Sequence, residues 1–226
     1  NSTAQGGGVA ELLYWLVPGL QATGLLHLIW NAAWNSAFAS GLAALVTVAL
    51  ALPVAILAVR YPGRFSNLLE RLSYTGFALP GIVIALSLVF FGIRFAYPFY
   101  QTLAMLIFAY MVLFLPQAVG SVRASLLQVN PRLEEAARSL GHSIPGVLIR
   151  ITVPLVRPGL LAGAALVFLT AMKELPATLV LSPIGFETLS MQVWNATSEG
   201  LFAQAAAPAL LLMAVSSAAV ALLPVA

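Results

Sequence analysis

Lys173 and Glu174 are the residues with the clearest chemical potential in this sequence, because this adjacent charged pair interrupts a long apolar run. A charge near the centre of a bilayer costs about 2.5–3.5 kcal/mol on an insertion scale, so such residues usually face protein or a water-filled cavity. We therefore expect the pair to line a path across the membrane or its outer gate. Two other interpretations stay open, namely a structural pairing with another helix and a position in the outer headgroup region.

The residue types in the sequence give little support for metal binding, nucleotide binding or catalysis. The sequence has no cysteine, which excludes thiolate metal sites and iron–sulfur clusters, and its two histidines, His27 and His142, lie far apart. It contains no G-x-x-x-x-G-K-[ST] run, and its only lysine is Lys173, so it cannot form a phosphate-binding P-loop. We expect no catalytic residues, no enzymatic activity and no cofactor bound by the chain itself.

The composition predicts an integral membrane protein with an all-α fold. Of the 226 residues, 61% are hydrophobic and 8% are charged, and the mean hydropathy is +0.99; soluble domains carry about 25% charged residues. A membrane-spanning helix takes about 20 apolar residues, and the alternating ten-residue period of barrel strands is absent. Apolar runs predict a bundle of about five spans: residues 36–59, a second between Arg71 and Arg94 centred on 81–91, then 101–122, 158–181, which the charged pair interrupts, and 201–224.

The arginines predict how these spans are oriented. Eight of the ten basic residues fall in two loops, between spans one and two and between spans three and four. Lysine and arginine concentrate in cytoplasmic loops, so we expect both loops and the C-terminus to be cytoplasmic. Residues 1–8 resemble a linker or tail in a piece of a longer chain. Residues 9–35 are predicted to be an interfacial or periplasmic segment, or else the end of a preceding span, before a transmembrane domain at 36–226.

Small residues and prolines within the spans predict how the helices pack. Gly159 and Gly163 form a small-xxx-small pair that permits close helix contact. Pro53, Pro80 and Pro116 fall within predicted spans, where neighbouring groups satisfy the freed backbone. We expect these prolines to be packing kinks, with a hinge for gating as the alternative.

The predicted cytoplasmic loop, residues 123–157, has the pattern of a compact helix–glycine–helix element. Asn130 and Pro131 read as an N-cap and a first helical residue, and Gly141 as the stop. A second short helix is predicted to begin at Ser143 and to run through residues 147–151. Pro154 is then expected to turn the chain back toward the fourth span. The pattern i, i+3, i+4, i+7 predicts one apolar face on the first helix, made of Leu133, Ala136, Ala137 and Leu140. Such a face suits docking onto another protein; the alternative is contact with anionic lipid headgroups.

The loop resembles the EAA motif of bacterial ABC importer permeases. The motif begins with the run Glu135-Ala136-Ala137, and Gly141 follows after three intervening residues. After nine further residues comes the segment 151–154, which has valine at 153 where the motif has leucine. The resemblance implies a type I permease fold whose loop docks onto a dimer of cytoplasmic ATPases, which bind ATP and Mg²⁺. The residues it assigns to this coupling are Glu134, Glu135, Ala136, Ala137, Gly141, Ile151 and Pro154.

A narrower likeness concerns the substrate. Residues 172–179 and 185–189, with Trp194, resemble the second half of ferric-iron importer permeases. This implies a bacterial inner-membrane protein with a second permease half, fused or identical, and an external periplasmic or lipid-anchored binding protein. Ferric ion prefers oxygen ligands, so Glu174 is expected to contact it in transit; Lys173, Pro176 and Thr178 complete the predicted path or gate. Thiamine, polyamine and sulfate permeases share the scaffold, so an ABC permease for one of these substrates is the first alternative. The second alternative is an ion-coupled secondary carrier. We expect no nucleic-acid partner.

Overall fold

The structure is a computed structural model that describes residues 12, 14, 15 and 25–221. Within these residues every regular element is helical and none is a strand, which confirms the all-α prediction. The predicted linker at residues 1–8 and the last three residues of the fifth predicted span lie outside the described residues. The α-helices are α1 (Leu25–Arg60), α2 (Arg64–Tyr74), α3 (Gly81–Phe95), α4 (Leu103–Gln128), α5 (Pro131–Ser139), α6 (Ile144–Val147), α7 (Val153–Leu155), α8 (Arg157–Lys173), α9 (Pro176–Leu181), α10 (Leu189–Ser198) and α11 (Phe202–Ala221).

Two described helices are long and apolar enough to cross a membrane, α1 from Ile29 and α4. Two bent pairs also qualify if each counts as one span: Arg64–Phe77 with α3, bent by 107°, and Ile144–Leu155 with α8, bent by 69°. The described part of α11 is a shorter apolar helix. Each predicted span overlaps one of these helices, and the count of five stays a prediction.

The first helix is longer than the span that the sequence predicts. Helix α1 has 36 residues, or about 54 Å at 1.5 Å per residue, whereas the hydrocarbon core of a bilayer measures about 30 Å. It therefore crosses the predicted domain boundary at residue 35 without a break. Trp30 and Trp34 are exposed near its start. Residues 9–11, 13 and 16–24 of the predicted interfacial segment 9–35 lie outside the described residues, and the interfacial position stays a prediction.

Helices α1, α4 and α8 form the centre of the bundle. Small residues let α8 approach α4 closely, as the sequence predicts. A Cβ added at Gly163 would lie 3.4 Å from both the Ala118 Cα and the Ser121 Cβ, and one added at Gly159 would lie 2.9 Å from the Ser121 carbonyl oxygen. A side chain at position 159 would therefore force the two helices apart, whereas Gly163 lies at the limit of ordinary van der Waals contact.

The prolines occupy two kinds of position. Pro53 and Pro116 lie inside α1 and α4, as predicted. Pro80, in contrast, is the residue just before α3 and does not lie inside a helix. It has no N–H to donate and a fixed φ, so the helix begins after it, at the 107° bend between α2 and α3. Pro80 is therefore not a kink inside a continuous helix, and its place within a span stays a prediction.

Candidate functional site

The loop between α4 and α8 begins with the N-cap that the sequence predicts. The Arg132 N–H donates to the Asn130 Oδ1 at 3.0 Å, and Pro131 occupies the first helical position. The amide oxygen thereby satisfies one of the free N–H groups at the start of α5. The start of this helix is fixed by adjacent residues alone.

Gly141 ends α5 through a left-handed turn. Its φ is +89°, and its N–H donates to the Arg138 carbonyl oxygen at 3.0 Å while the His142 N–H donates to the Ala137 carbonyl oxygen at 3.2 Å. This pair of bonds is the Schellman motif, which favours glycine because a Cβ disfavours positive φ. A Cβ added at Gly141 would meet nothing within 4 Å. Within the described chain, the need for glycine is therefore conformational.

The second part of the loop stays helical for longer than predicted. Ser143 caps α6, and a π turn at Leu148–Thr152 leads directly into α7, which contains Pro154. The wider π turn accommodates a proline ring that would clash with the preceding turn of an α-helix. The chain consequently turns at Val156, between α7 and α8, and the predicted turn at Pro154 is wrong.

The predicted apolar face of α5 is divided between two environments. Leu133, Ala136 and Leu140 are exposed, and Leu140 reaches 82%, whereas Ala137 is buried. At 3.6 residues per turn, Ala137 lies about 40° to one side of Leu133, at the edge that turns toward the protein. Ile144 on α6 is also exposed. We call Leu133, Ala136, Leu140 and Ile144 the outer loop surface.

The two adjacent glutamates of α5 face different environments. Glu135 is exposed beside the outer loop surface. Glu134 turns inward, with 16% of its side chain exposed, and its Oε1 lies 3.2 Å from the Arg60 Nε. The Thr152 hydroxyl donates to the same oxygen at 3.1 Å. Glu134 therefore anchors α5 to the membrane domain in this structure, and its assigned part in ATPase contact stays a prediction.

Arg60 is a site residue that the sequence did not single out. Besides Glu134, its guanidinium donates to the Val129 carbonyl oxygen at 2.9 Å and to the Leu126 carbonyl oxygen at 3.4 Å. It thus joins the end of α1, the end of α4 and the start of α5. In the sequence, an arginine at the end of a span indicates only orientation. Ile151 and Pro154, from the motif, are half-buried.

The helix of the fourth span ends at the charged pair. Helix α8 stops at Lys173 and α9 begins at Pro176, at the position where the sequence predicts a bend. The Glu174 Oε1 accepts from the Ala177 N–H at 3.1 Å, and a Cβ added at Gly81 would lie 2.7 Å from it. Lys173 is exposed and, among the described residues, lies in no ion pair.

A buried hydroxyl pair lies next to this break. The Tyr110 and Thr178 hydroxyl oxygens are 2.5 Å apart, and the Thr178 hydroxyl also lies 2.6 Å from the Glu174 carbonyl oxygen. Both side chains are buried, while Pro176 is exposed. Thr178 therefore packs inside the bundle in this structure, and its place in a path stays a prediction. A tyrosine in an apolar helix was the available signal, because buried tyrosine hydroxyls need a partner.

The described residues contain no cluster of three metal-ligating side chains. Glu174 is the one carboxylate at the break, and its Oε1 already accepts a backbone hydrogen bond. One carboxylate supplies few of the ligands that a hard ion requires, so the transient metal contact assigned to Glu174 stays a prediction.

Solved structures with this architecture are chains of ABC transporters. A chain of an amino acid ABC transporter superposes with a TM-score of 0.67 at 18% identity, covering 92% of this chain and 95% of that chain. A chain of the methionine transporter MetNI, in an inward-facing form, gives 0.62 at 18% identity, with 94% and 96% covered. The chain therefore has the fold of membrane-embedded chains of ABC transporters.

The chain belongs to the family of binding-protein-dependent transport system inner membrane components, whose model matches residues 51–225. The Fe(3+)-transport system permease protein FbpB 2 of Haemophilus influenzae is 43% identical over 217 residues, which are 95% of this chain and 43% of that protein. The molybdenum transport system permease protein ModB of Escherichia coli is 30% identical over 167 residues, 66% of this chain and 70% of that protein. The chain thus spans less than half the length of the first relative.

Proposed function

We propose that the chain is the permease half of an ATP-driven importer of ferric iron in the bacterial inner membrane. It pairs with a second permease half, receives the ion from an external binding protein and takes its energy from a separate ATPase dimer. The chain itself catalyses no reaction. ATP hydrolysis on the partner switches the bundle between outward-facing and inward-facing states.

The observation that carries this proposal is the geometry of the loop. A capped helix presents apolar side chains and Glu135 on its outer side, while Glu134 fixes its inner side to Arg60 at 3.2 Å. An exposed apolar patch beside charged residues favours protein contact, and a rigid inner attachment lets a push on α5 reach the membrane helices. We propose that the outer loop surface docks onto the ATPase.

Ferric iron is the substrate that the relatives favour. The identity of 43% to a permease named for Fe(3+) exceeds the 30% to a permease named for molybdenum. Glu174 supplies an oxygen ligand at the helix break, which suits a hard cation in transit. High-affinity capture then belongs to the binding protein.

The orientation follows from the arginines. The loop that carries α5 and the arginines around α2 lie on the cytoplasmic side, together with the C-terminus. The break at Lys173 and Glu174 lies farther along α8, toward the opposite side. This arrangement puts the docking surface and the gate at opposite ends of one helix.

Uptake by the reconstituted transporter tests the proposal. Proteoliposomes containing both permease halves and the ATPase are supplied with the binding protein and with radioactive ferric iron, molybdate, sulfate, thiamine or a polyamine. We expect ATP-dependent accumulation of iron alone, abolished when the ATPase carries an inactive nucleotide site. Accumulation of another substrate would reject iron but retain the transporter class; uptake driven by an ion gradient without ATP would reject the class.

A further inference from the structure

The backbone carbonyl group of Glu174 lies at the break between α8 and α9, inside the bundle. Glu174 is extended, with φ −69° and ψ 120°, and an extended residue does not continue the hydrogen-bond ladder of a helix. Pro176, two residues further on, has no N–H to donate. A carbonyl group within a membrane bundle needs a donor, because hydrocarbon supplies none. Two hydroxyl groups fill this need.

The first of these donors comes from α9 and is supported by α4. The Thr178 hydroxyl donates to the Glu174 carbonyl oxygen at 2.6 Å, and the Tyr110 hydroxyl oxygen lies 2.5 Å from the Thr178 Oγ1. A hydroxyl group carries a single proton, so Thr178, which gives its proton to the carbonyl, accepts from Tyr110. Both side chains are almost completely buried, and neither can turn to water instead.

The second donor comes from the first turn of α10. The Ser190 hydroxyl donates to the same carbonyl oxygen at 3.3 Å, and its own oxygen lies 3.0 Å from the Thr188 hydroxyl oxygen. By the same count of protons, Thr188 donates to Ser190, while the Thr188 Oγ1 accepts from the Met191 N–H at 3.4 Å. Both side chains are buried. Two lines of hydroxyl groups thus end on one carbonyl oxygen, which has two lone pairs.

The elements that supply these hydroxyl groups are attached to the centre of the bundle. Tyr110 belongs to α4, one of the three central helices. At the start of α10, the Leu189 N–H donates to the Ser36 Oγ of α1 at 2.8 Å, and both residues are buried. The main chain at Glu174 is thereby held against both α1 and α4.

The side chain of Glu174 depends on the position of this main chain. Its Oε1 accepts from the Ala177 N–H at 3.1 Å and lies beside Gly81 of α3, where an added Cβ would be 2.7 Å away. The carbonyl carbon and the Cβ of a residue share one Cα. A peptide group that is held at its oxygen therefore limits the positions that the carboxylate can reach.

We infer that Thr178 and Ser190, with Tyr110 behind Thr178, are positioning residues for the Glu174 carboxylate. The hydroxyl groups bond to one another and to the carbonyl, and act on the ion only through Glu174. This inference rests on the proposed function, in which Glu174 contacts iron in transit. A carboxylate held in one place meets each ion at the same point, whereas a loose carboxylate is in place for only part of the time.

Hydrogen exchange of the backbone amides at the break tests the positioning directly. The assembled transporter in lipid nanodiscs is analysed by mass spectrometry of peptides that cover residues 174–181. Thr178→Val keeps the shape of the side chain but removes the donor, and we expect about two- to tenfold faster exchange, the effect of one lost hydrogen bond. Thr178→Ser keeps the donor and should exchange like wild type. So should the matched control Thr197→Val, whose exposed hydroxyl bonds within α10.

Iron uptake per ATP hydrolysed tests whether these residues act through the carboxylate. A merely structural defect reduces the number of working transporters and so lowers uptake and ATP hydrolysis in proportion. We expect Thr178→Val and Ser190→Ala each to lower the ratio by about two- to tenfold, and Thr178→Ser and Thr197→Val to keep it. In the Glu174→Gln background, Thr178→Val should lower the ratio no further, because the charge to be positioned is absent.

Unchanged exchange at the break in Thr178→Val would overturn the inference. So would a proportional loss of uptake and ATP hydrolysis, or an equal further loss in the Glu174→Gln background. Ser190→Ala, which changes little volume, carries both measurements if Thr178→Val does not assemble. The exchange measurement requires no transport, so absent iron uptake by the wild type, with exchange as expected, would reject the transport proposal alone.

Discussion

The Arg60 Nε lies 3.2 Å from the Glu134 Oε1, across 74 residues of sequence. This contact attaches the first membrane helix to the loop helix α5, and only 10% of the Arg60 side chain and 16% of the Glu134 side chain are exposed. A displacement of α5 is therefore transmitted directly to the end of α1. Neither residue contributes much to the surface that a partner would touch.

Removing Arg60 should destabilise the loop more than removing an exposed arginine. Arg60→Gln leaves Glu134 largely buried without its cation. Breaking a buried ion pair lowers the free energy of unfolding by about 3–5 kcal/mol. The loss should be smaller here because both groups keep some contact with solvent. We expect a lower melting temperature in detergent, measured by tryptophan fluorescence, and a lower ratio of uptake to ATP hydrolysis.

Arg132→Gln is the control for this prediction, because Arg132 is exposed on α5, the helix that carries Glu134, and forms no ion pair in the described part of the chain. The double variant Arg60→Gln/Glu134→Gln should recover part of the stability lost in Arg60→Gln, since no unpaired charge remains. An Arg60→Gln protein as stable and as tightly coupled as Arg132→Gln would contradict the role given to this pair.

Gly141→Ala should weaken coupling while leaving the protein in the membrane. Its φ of +89° disfavours any residue with a Cβ by about 1–2 kcal/mol, so we expect stimulated ATP hydrolysis and uptake to fall together by about fivefold. Gly141→Asn should lose less, because asparagine tolerates this conformation. Gly63→Ala is the control: Gly63 is extended and a Cβ there meets nothing within 4 Å. Equal activity of Gly141→Ala and Gly63→Ala would rule the explanation out.

Local features of the loop could be predicted from the sequence, and its tertiary contacts could not. The N-cap of Asn130 and the turn at Gly141 depend on residues within five positions, so residue type and spacing suffice. The inward turn of Glu134 depends on Arg60, which comes from a separate helix. The same limit applies to Pro154, where the preceding π turn removed the break that proline usually causes. The helix break at Glu174 was predictable because Pro176 follows it, but its contact with Gly81 was not.

Gly81→Ala should disturb the helix break from the α3 side. A Cβ there would lie 2.7 Å from the Glu174 Oε1, so the carboxylate must move and its bond to the Ala177 N–H must weaken. We expect uptake to fall several-fold at unchanged membrane abundance, measured by immunoblot and transport assay. In Gly41→Ala, the added Cβ meets nothing within 4 Å, and this variant should transport normally. Wild-type uptake by Gly81→Ala would show that the break tolerates displacement of Glu174.

The variant Glu174→Gln tests whether the negative charge at the helix break after α8 is needed for passage of iron. The amide oxygen can still accept from the Ala177 N–H, so the local structure should persist while the negative charge is lost. We expect iron uptake to fall and both membrane abundance and ATPase binding to remain. Normal uptake at wild-type abundance would reject a transit role for this carboxylate.

Lys173→Met should behave differently from a broken ion pair. Lys173 is exposed and has no ion pair within the described residues, so we expect the variant to reach the membrane at wild-type abundance. An ammonium that repels cations at a gate would be lost, and we expect the leak of cations to rise. A drop in abundance, restored in the double variant with Glu174→Gln, would indicate instead a structural pairing.

Protection of a single cysteine tests the central claim, that the outer loop surface docks onto an ATPase. The chain has no native cysteine, so Leu140→Cys and Ile184→Cys each introduce one thiol at a site that is 82% or 89% exposed. Labelling with a maleimide is measured in permeabilised vesicles with and without the ATPase subunits. We predict that the ATPase slows labelling of Leu140→Cys by at least about tenfold, because interface centres exclude water, and leaves Ile184→Cys unchanged. Equal labelling of Leu140→Cys in both conditions, in a complex that transports, would contradict the account.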